Sequence, residues 1–462
     1  MYASTLTAAI HGINALIVKV EVHLETALPS YTTVGLPDSA VKESKERVSA
    51  AIKNSGFIFP PKKITVNLAP AAVKKEGSAF DLPIAIGLLA ATGQVSLDRA
   101  KKYIFLGELA LDGSLRPVNG VLPIALEAPK KKITSLILSE ANANEAAIVN
   151  NIAVYPFKTL GEVVKFLNGE TNPTPLKGDL QLLMSQPLQY QVDFSDVKGQ
   201  EVAKRAIEIA AAGAHNLLMI GSPGSGKTML AKRIPTILPP LNMEEMLETS
   251  KIYSITGMLP PGKPLLTVRP FRNPHHTISD AGLIGGGQIP RPGEVSLAHL
   301  GVLFLDELPE FPKSVLEVLR QPLEDGEVTI ARSKMSLTYP ARFMLVAAMN
   351  PCPCGYYGHP KRECRCSPPI VQKYRSHISG PLLDRIDLQI EVPPVEFTHL
   401  SQEAGGETSQ SIRERVIRAR QIQYERFQNV KGVRMNADMT PRELKKYCEI
   451  PDEGRRLLEQ GM

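Results

Sequence analysis

The segment Gly221-Ser222-Pro223-Gly224-Ser225-Gly226-Lys227-Thr228 joins features that phosphate chemistry requires. Bare glycine backbone lets successive N–H groups converge on phosphate oxygens, and a lysine and a hydroxyl follow at fixed spacing. The apolar run "HNLLMI" precedes the loop and "MLAKRIPTIL" follows it, so the pattern predicts strand, loop and helix. In that setting Lys227 reaches the β/γ-phosphates of a nucleoside triphosphate, the Thr228 hydroxyl binds Mg²⁺, and the helix start at Met229 adds positive potential.

A second apolar run, "GVLFLDELPEF", ends in Asp306-Glu307. Continuous apolarity predicts a strand buried on both faces, which puts the two carboxylates at the ligand edge of a sheet. There Asp306 holds the Mg²⁺ shell and Glu307 polarises the attacking water. "FMLVAAMN" predicts another buried strand, with Asn350 at its end to orient that water or simply to cap the loop. In "GPLLDRIDLQIEV", Arg385 suits the cation that a ring ATPase takes from a neighbouring subunit. The alternative is a pair within the chain, with Asp384 or Asp387.

Four of the five cysteines crowd into "NPCPCGYYGHPKRECRC". Cys352 and Cys354, then Cys364 and Cys366, can supply four thiolates to a tetrahedral Zn²⁺, though one residue within each pair is tighter than the usual two to four. His359 is an alternative ligand. A disulfide pair and free thiols are the other readings. The same insertion carries Lys361, Arg362 and Arg365 beside Tyr356 and Tyr357, a mixture suited to phosphate contact with base stacking; a solvated charged knob fits the charge equally well. Two more segments could meet nucleic acid. "EVTIARSKMSLTYPARF" predicts a hairpin with Arg332 and Lys334 at its tip, and "TVRPFRNPHHT" holds Arg269, Arg272, His275 and His276. The adjacent histidines, with no acidic or cysteine neighbour in sequence, read as structural.

These residues need scaffolds, and the chain is long enough for two or three domains at 462 residues. Residues 1–168 alternate strand and helix patterns: "NALIVKVEVHL" and "KKITVNLAP" read as strands, "PDSAVKESKERVSAAIKNSG" as a helix, and "GELALDGSLRPV" as a hairpin turning at Asp112-Gly113. Residues 169–191 read as a linker. A second α/β domain spans 192–396 with the cysteine-rich insertion 352–366, and 397–462 reads as a helical lid, incomplete at "EGRRLLEQGM". The net charge of +6 permits nucleic acid as a partner without requiring it. No run reaches the roughly 18 apolar residues of a membrane span. Clustered cysteines without a signal segment predict a cytoplasmic protein.

Together the phosphate loop, Asp306-Glu307, "AAMNP" and "GPLLDRID" resemble the AAA+ ATPases of the magnesium-chelatase group. More closely, "RPFRNPHHTISDAGLIGGG" and "PGEVSLAHLGVLFLDELPEF" resemble the ComM/YifB family, in which such a motor follows a Lon-type α/β domain. The resemblance implies ATP and Mg²⁺ at positions 221–229 and 306, Asn350 as sensor and Arg385 as the trans-acting arginine finger. It also implies a hexameric ring driving branch migration on single-stranded or branched DNA during recombination and natural transformation. A protein-remodelling motor of the chelatase or chaperone kind is the alternative. The family's second sensor arginine has no match here, because Arg455 and Arg456 lie outside that motif. The Lon-type serine and lysine positions, aligned through "KKEGSAFDLPIAIG" and "VNGVLPI", fall on Ala79 and Leu122, so the proteolytic dyad is missing. Lys75 and Ser78 are not a substitute dyad, and Ser78 reads as a helix N-cap.

Overall fold

Alternating burial along β1 (Tyr2–His11) and β2 (Asn14–Glu25) makes one long antiparallel ladder, from Tyr2 opposite His23 to His11 opposite Asn14. The chain reverses at Gly12, whose φ of 62° favours glycine. This comes from a computed structural model that describes residues 1–178, 190–260, 262–287, 290–332, 335–394 and 406–461. Two units divide the chain. The first comprises Met1–Pro187, Asn242–Thr267 and Ala331–Tyr339, the second Leu188–Leu241, Val268–Ile330 and Pro340–Met462.

In the first unit β3 (Ser30–Val34), α1 (Ser39–Asn54), β4 (Lys63–Ala69) and α2 (Asp81–Ala91) follow the opening ladder. Then come β5 (Ile104–Leu106), the hairpin β6 (Glu108–Leu109) and β7 (Leu115–Arg116), α3 (Val121–Glu127), β8 (Ser135–Ser139), β9 (Ala153–Phe157) and α4 (Leu160–Asn168). The sheet order is β3-β4-β2-β1-β5-β8-β9. Helix α2 is apolar on every side, and ten of its residues are buried. It therefore occupies the core, whereas the amphipathic α1 buries only one face. Asp38 caps α1 by accepting from the Val41 N–H. Asp81, fully buried at the start of α2, is held by both arms of the Arg47 guanidinium.

Two sequence expectations change here. Ser78 is not an N-cap: Gly77 takes that position, and the Ser78 hydroxyl donates to the Glu108 carboxylate. Residues at the start of the expected linker run back along the first unit, with Leu176 N–H donating to Val154 and Gly178 N–H to Ala147. Lys75 is buried, its ammonium donating to the Pro70 carbonyl, and Leu122 lies in the core. Helix Met243–Thr256 also belongs to this unit. Ser254 Oγ donates to Glu145 Oε1 at 2.5 Å, beside the Leu122 N–H at 2.9 Å, and the Ser254 carbonyl accepts from Gly120 N–H. Burial raises the Glu145 pKa, and these donors partly oppose that rise.

The second unit begins with α5 (Glu201–Gly213), β10 (Leu217–Ile220) and α6 (Lys227–Ile237), then β11 (Phe271–Arg272) and β12 (Val302–Leu305). β13 (Met344–Met349), α7 (Pro368–Arg375), β14 (Leu388–Glu391) and α8 (Ser409–Phe427) follow. Its main sheet has five strands, all parallel, in the order β11-β12-β13-β10-β14. β12 and β13 are buried at every residue, as strands covered on both faces must be. Helix α8 docks through Ser409, which receives Phe194 N–H at 2.8 Å and Thr236 Oγ1 at 2.7 Å. Short helices Pro441–Tyr447 and Asp452–Gly461 close the C-terminal helical region. No helix among the described residues is long and apolar enough to cross a membrane.

Candidate nucleotide and metal sites

The strand order explains why distant residues meet. β10 lies between β13 and β14, and β12 lies on the far side of β13. Parallel register then delivers the loop after β10, Asp306 after β12 and Asn350 after β13 to one carboxyl edge. Gly221 can only be glycine there, because a Cβ would stand 2.4 Å from the Val392 carbonyl oxygen. Gly224 and Gly226 have φ of 77° and 92°, which the loop's turn demands. Lys227, 8% exposed, donates to the carbonyls of Gly221 at 2.7 Å and Ser222 at 3.0 Å, and to Asn350 Oδ1 at 3.3 Å. Burial lowers its pKa, while Asp306 and Glu307 oppose the fall. Thr228 Oγ1 donates to Asp306 Oδ2 at 2.7 Å.

The same edge tests whether a triphosphate with its metal fits. The Ser222 and Ser225 hydroxyls are buried without a protein partner, in the loop whose Gly221 and Ser222 carbonyls hold the Lys227 ammonium. Anion-accepting hydroxyls around a buried cation suit phosphate, and the Thr228–Asp306 pair offers the hard oxygens that Mg²⁺ prefers. Met229 continues the first turn of α6.

Glu307 sits in left-handed backbone, φ 54° and ψ 46°, a conformation that costs a non-glycine residue about 1–3 kcal/mol and is found most at functional sites. Its carboxylate faces His276, with Nδ1 to Oε2 at 3.4 Å. The histidine pair thus has the acidic neighbour that sequence proximity hid. It follows β11, and β11 pairs with β12, so strand adjacency was the missing signal. His275 stacks on His276 at 4.1 Å between ring centroids.

Arg385 pairs with neither Asp384 nor Asp387. Its Nε donates to Glu324 Oε1 at 3.1 Å, whereas Asp387 faces His215 at 3.2 Å. Its side chain is 41% exposed. Among the described residues no hydrogen bond or ion pair joins it to the phosphate loop.

The cysteines do converge. The Cys352, Cys354, Cys364 and Cys366 sulfurs all lie within 4.8 Å of one another. Three of the spacings are 3.3, 3.6 and 3.6 Å, close to the roughly 3.8 Å between sulfurs sharing a tetrahedral Zn²⁺. Backbone N–H groups of Tyr356 and Arg365 bring the Cys354 thiol down to about 6, while burial and the neighbouring sulfurs push Cys364 and Cys366 up. His359 is not a ligand: its Nδ1 accepts from the Lys361 and Arg362 N–H groups.

The nucleic-acid candidates divide. Lys361, Arg362 and Arg365 are exposed on the knuckle, with Arg362 over the Tyr356 ring at 5.1 Å. Arg332 is exposed at the end of strand Glu327–Arg332, and Lys334 lies outside the described residues. Arg269 is buried and donates to the Pro239 and Leu300 carbonyls, and Arg272 is clamped on Glu294 by two bonds of 2.6 and 2.7 Å. Neither offers a free cation to phosphate. Unpaired backbone carbonyls and a carboxylate claimed both.

Residues 193–400 match the family described as magnesium chelatase, subunit ChlI, residues 20–142 match subunit ChlI of Mg-chelatase, and residues 406–462 match its C-terminal part. Competence protein ComM of Haemophilus influenzae is 46% identical over 98% of this chain and 87% of its own length. YifB of Salmonella typhimurium is 46% identical over 99% of this chain and 88% of its own. The magnesium-chelatase 38 kDa subunit of Rhodobacter capsulatus shares 27% identity over 34% of this chain and 50% of its own length. Identity at this level over nearly the whole length, on a chain whose phosphate loop, acidic pair and helical region are assembled as above, places the protein in the ComM/YifB family of proteins with Mg-chelatase ChlI domains.

Proposed function

We propose that this chain is an ATP-driven DNA motor, a homo-hexameric translocase that promotes branch migration during recombination and natural transformation. The supporting observation is the meeting of Lys227, Thr228, Asp306, Glu307 and Asn350 at one sheet edge while Arg385 stays outside it. Lys227 holds the β/γ-phosphates, and loop positions 221–229 wrap the triphosphate. Thr228 and Asp306 hold Mg²⁺, which when bound neutralises charge on the phosphate oxygens. Glu307 takes a proton from the attacking water and Asn350 orients that water. Arg385, supplied by the next subunit, stabilises charge on the transferring phosphoryl group. The N-terminal unit is a Lon-like scaffold or DNA-contact module without the proteolytic dyad.

Arg332 at the end of strand Glu327–Arg332 and Lys334 two residues on in sequence, with Lys361, Arg362 and Arg365 on the zinc knuckle, are the DNA contacts in this reading. They grip phosphate without reading bases, so affinity falls steeply with salt. The test is ATP turnover with and without a four-way DNA junction. Stimulation by the junction, weakening as salt rises from 50 to 200 mM, supports the motor. The likeness to a magnesium-chelatase subunit favours a second reading, a protein-remodelling motor. Stimulation by a protein client and not by DNA would establish that one instead.

A further inference from the structure

The knuckle is not a detached excursion from the second unit. Gly355, with φ of 84°, lies against Pro223 of the phosphate loop, and a Cβ there would stand 2.5 Å from the proline Cδ and 2.7 Å from its Cγ. Gly355 N–H donates to the Cys352 carbonyl at 2.9 Å, which fixes its turn within the sulfur cluster. Cys352 itself is fully buried. On its other side Arg375 donates to the Pro351 carbonyl at 3.2 Å and lies 5.1 Å over the Tyr357 ring, so α7 braces the same strand end. Asn350, one residue earlier, reaches Lys227. Both ends of the Asn350–Gly355 segment therefore touch nucleotide-binding groups, and the four sulfurs fix its shape between them.

We propose that this segment is a strut of the nucleotide site. Gly355 sets the position of Pro223, Asn350 sets that of Lys227, and metal in the four-cysteine cluster keeps the two in register. Metal occupancy and nucleotide affinity are then linked: each strengthens the other, because both favour one loop conformation. Metal withdrawal would lower triphosphate affinity without changing any residue of the loop. This rests on the readings of Cys352–Cys366 as a metal site and of positions 221–229 as a nucleotide site.

Equilibrium binding of a fluorescent ATP analogue to the full chain, with metal content measured in parallel, tests the strut. Stripping metal with a chelator should weaken binding at least tenfold, and readdition of Zn²⁺ should restore it. Gly355→Ala should weaken binding at least fivefold with metal content unchanged. Gly358→Ala is the control: its φ is 74° and it belongs to the same knuckle, but nothing lies within 4 Å of an added Cβ. Equal affinity in Gly355→Ala and Gly358→Ala, or in stripped and loaded protein, overturns the proposal. A chain purified without metal removes the zinc reading alone, and the two glycine variants still decide the strut. Unchanged binding in Lys227→Ala removes the nucleotide reading.

Discussion

Each reacting group at the sheet edge has a distinct failure when removed. Glu307→Gln keeps the shape but cannot accept a proton from water. Turnover should fall roughly 10²- to 10⁴-fold with nucleotide binding retained, the range for losing a general base. Retained turnover would take Glu307 out of the reaction. Arg385→Ala should cost roughly 10³-fold. On the proposed reading, in which Arg385 serves a neighbouring subunit, mixing Arg385→Ala chains with Lys227→Ala chains should restore part of the activity that neither has alone, since some junctions then carry both groups. No restoration would mean the arginine acts within its own chain. His276 touches Glu307 and so sets where that carboxylate rests. His276→Ala should lower kcat more than it changes KM, with the KM-against-kcat split as the readout.

At the scale of elements, helix α8 packs Ile412 and Val416 into the core of the second unit and adds ion pairs around Arg415. Arg415 donates to Glu208 on α5 at 2.6 Å and pairs with Glu407, which its guanidinium pulls down to about 2. A depressed carboxylate contributes stability above its ordinary pKa near 4.5 and loses that contribution as pH falls towards 2. Acid should therefore loosen α8 across that window, and Arg415→Met should flatten the slope in a pH series of thermal melts. The elements themselves were largely legible from pattern. The buried strands β12 and β13 follow from uninterrupted apolarity, and the β6–β7 hairpin from Asp112-Gly113. Less legible was anything that depends on which strand lies beside which. His276 against Glu307, Arg385 against Glu324 and Gly355 against Pro223 are contacts across long stretches of chain, and no periodicity encodes them. Arg269 shows the converse, since a cation in a basic-looking segment turned out to satisfy buried carbonyls.

For the whole molecule, the proposed ring, with each catalytic site completed by a neighbour, would make turnover depend on assembly. Activity per subunit should rise steeply with protein concentration through the range where rings form, followed by light scattering and ATP turnover on the same samples. Constant specific activity across that range would place every catalytic group in one chain. The two units also interleave along the sequence: the chain leaves the second unit, forms helix Met243–Thr256 within the first through Glu145 and Gly120, and then returns. Neither half is thus a cassette that a gene fusion or a truncation could move intact. Starting translation near residue 190 would leave Met246, Ile252 and Tyr253 of that helix without the wall they were built against, and such a fragment should collect in inclusion bodies while the unbroken polypeptide does not.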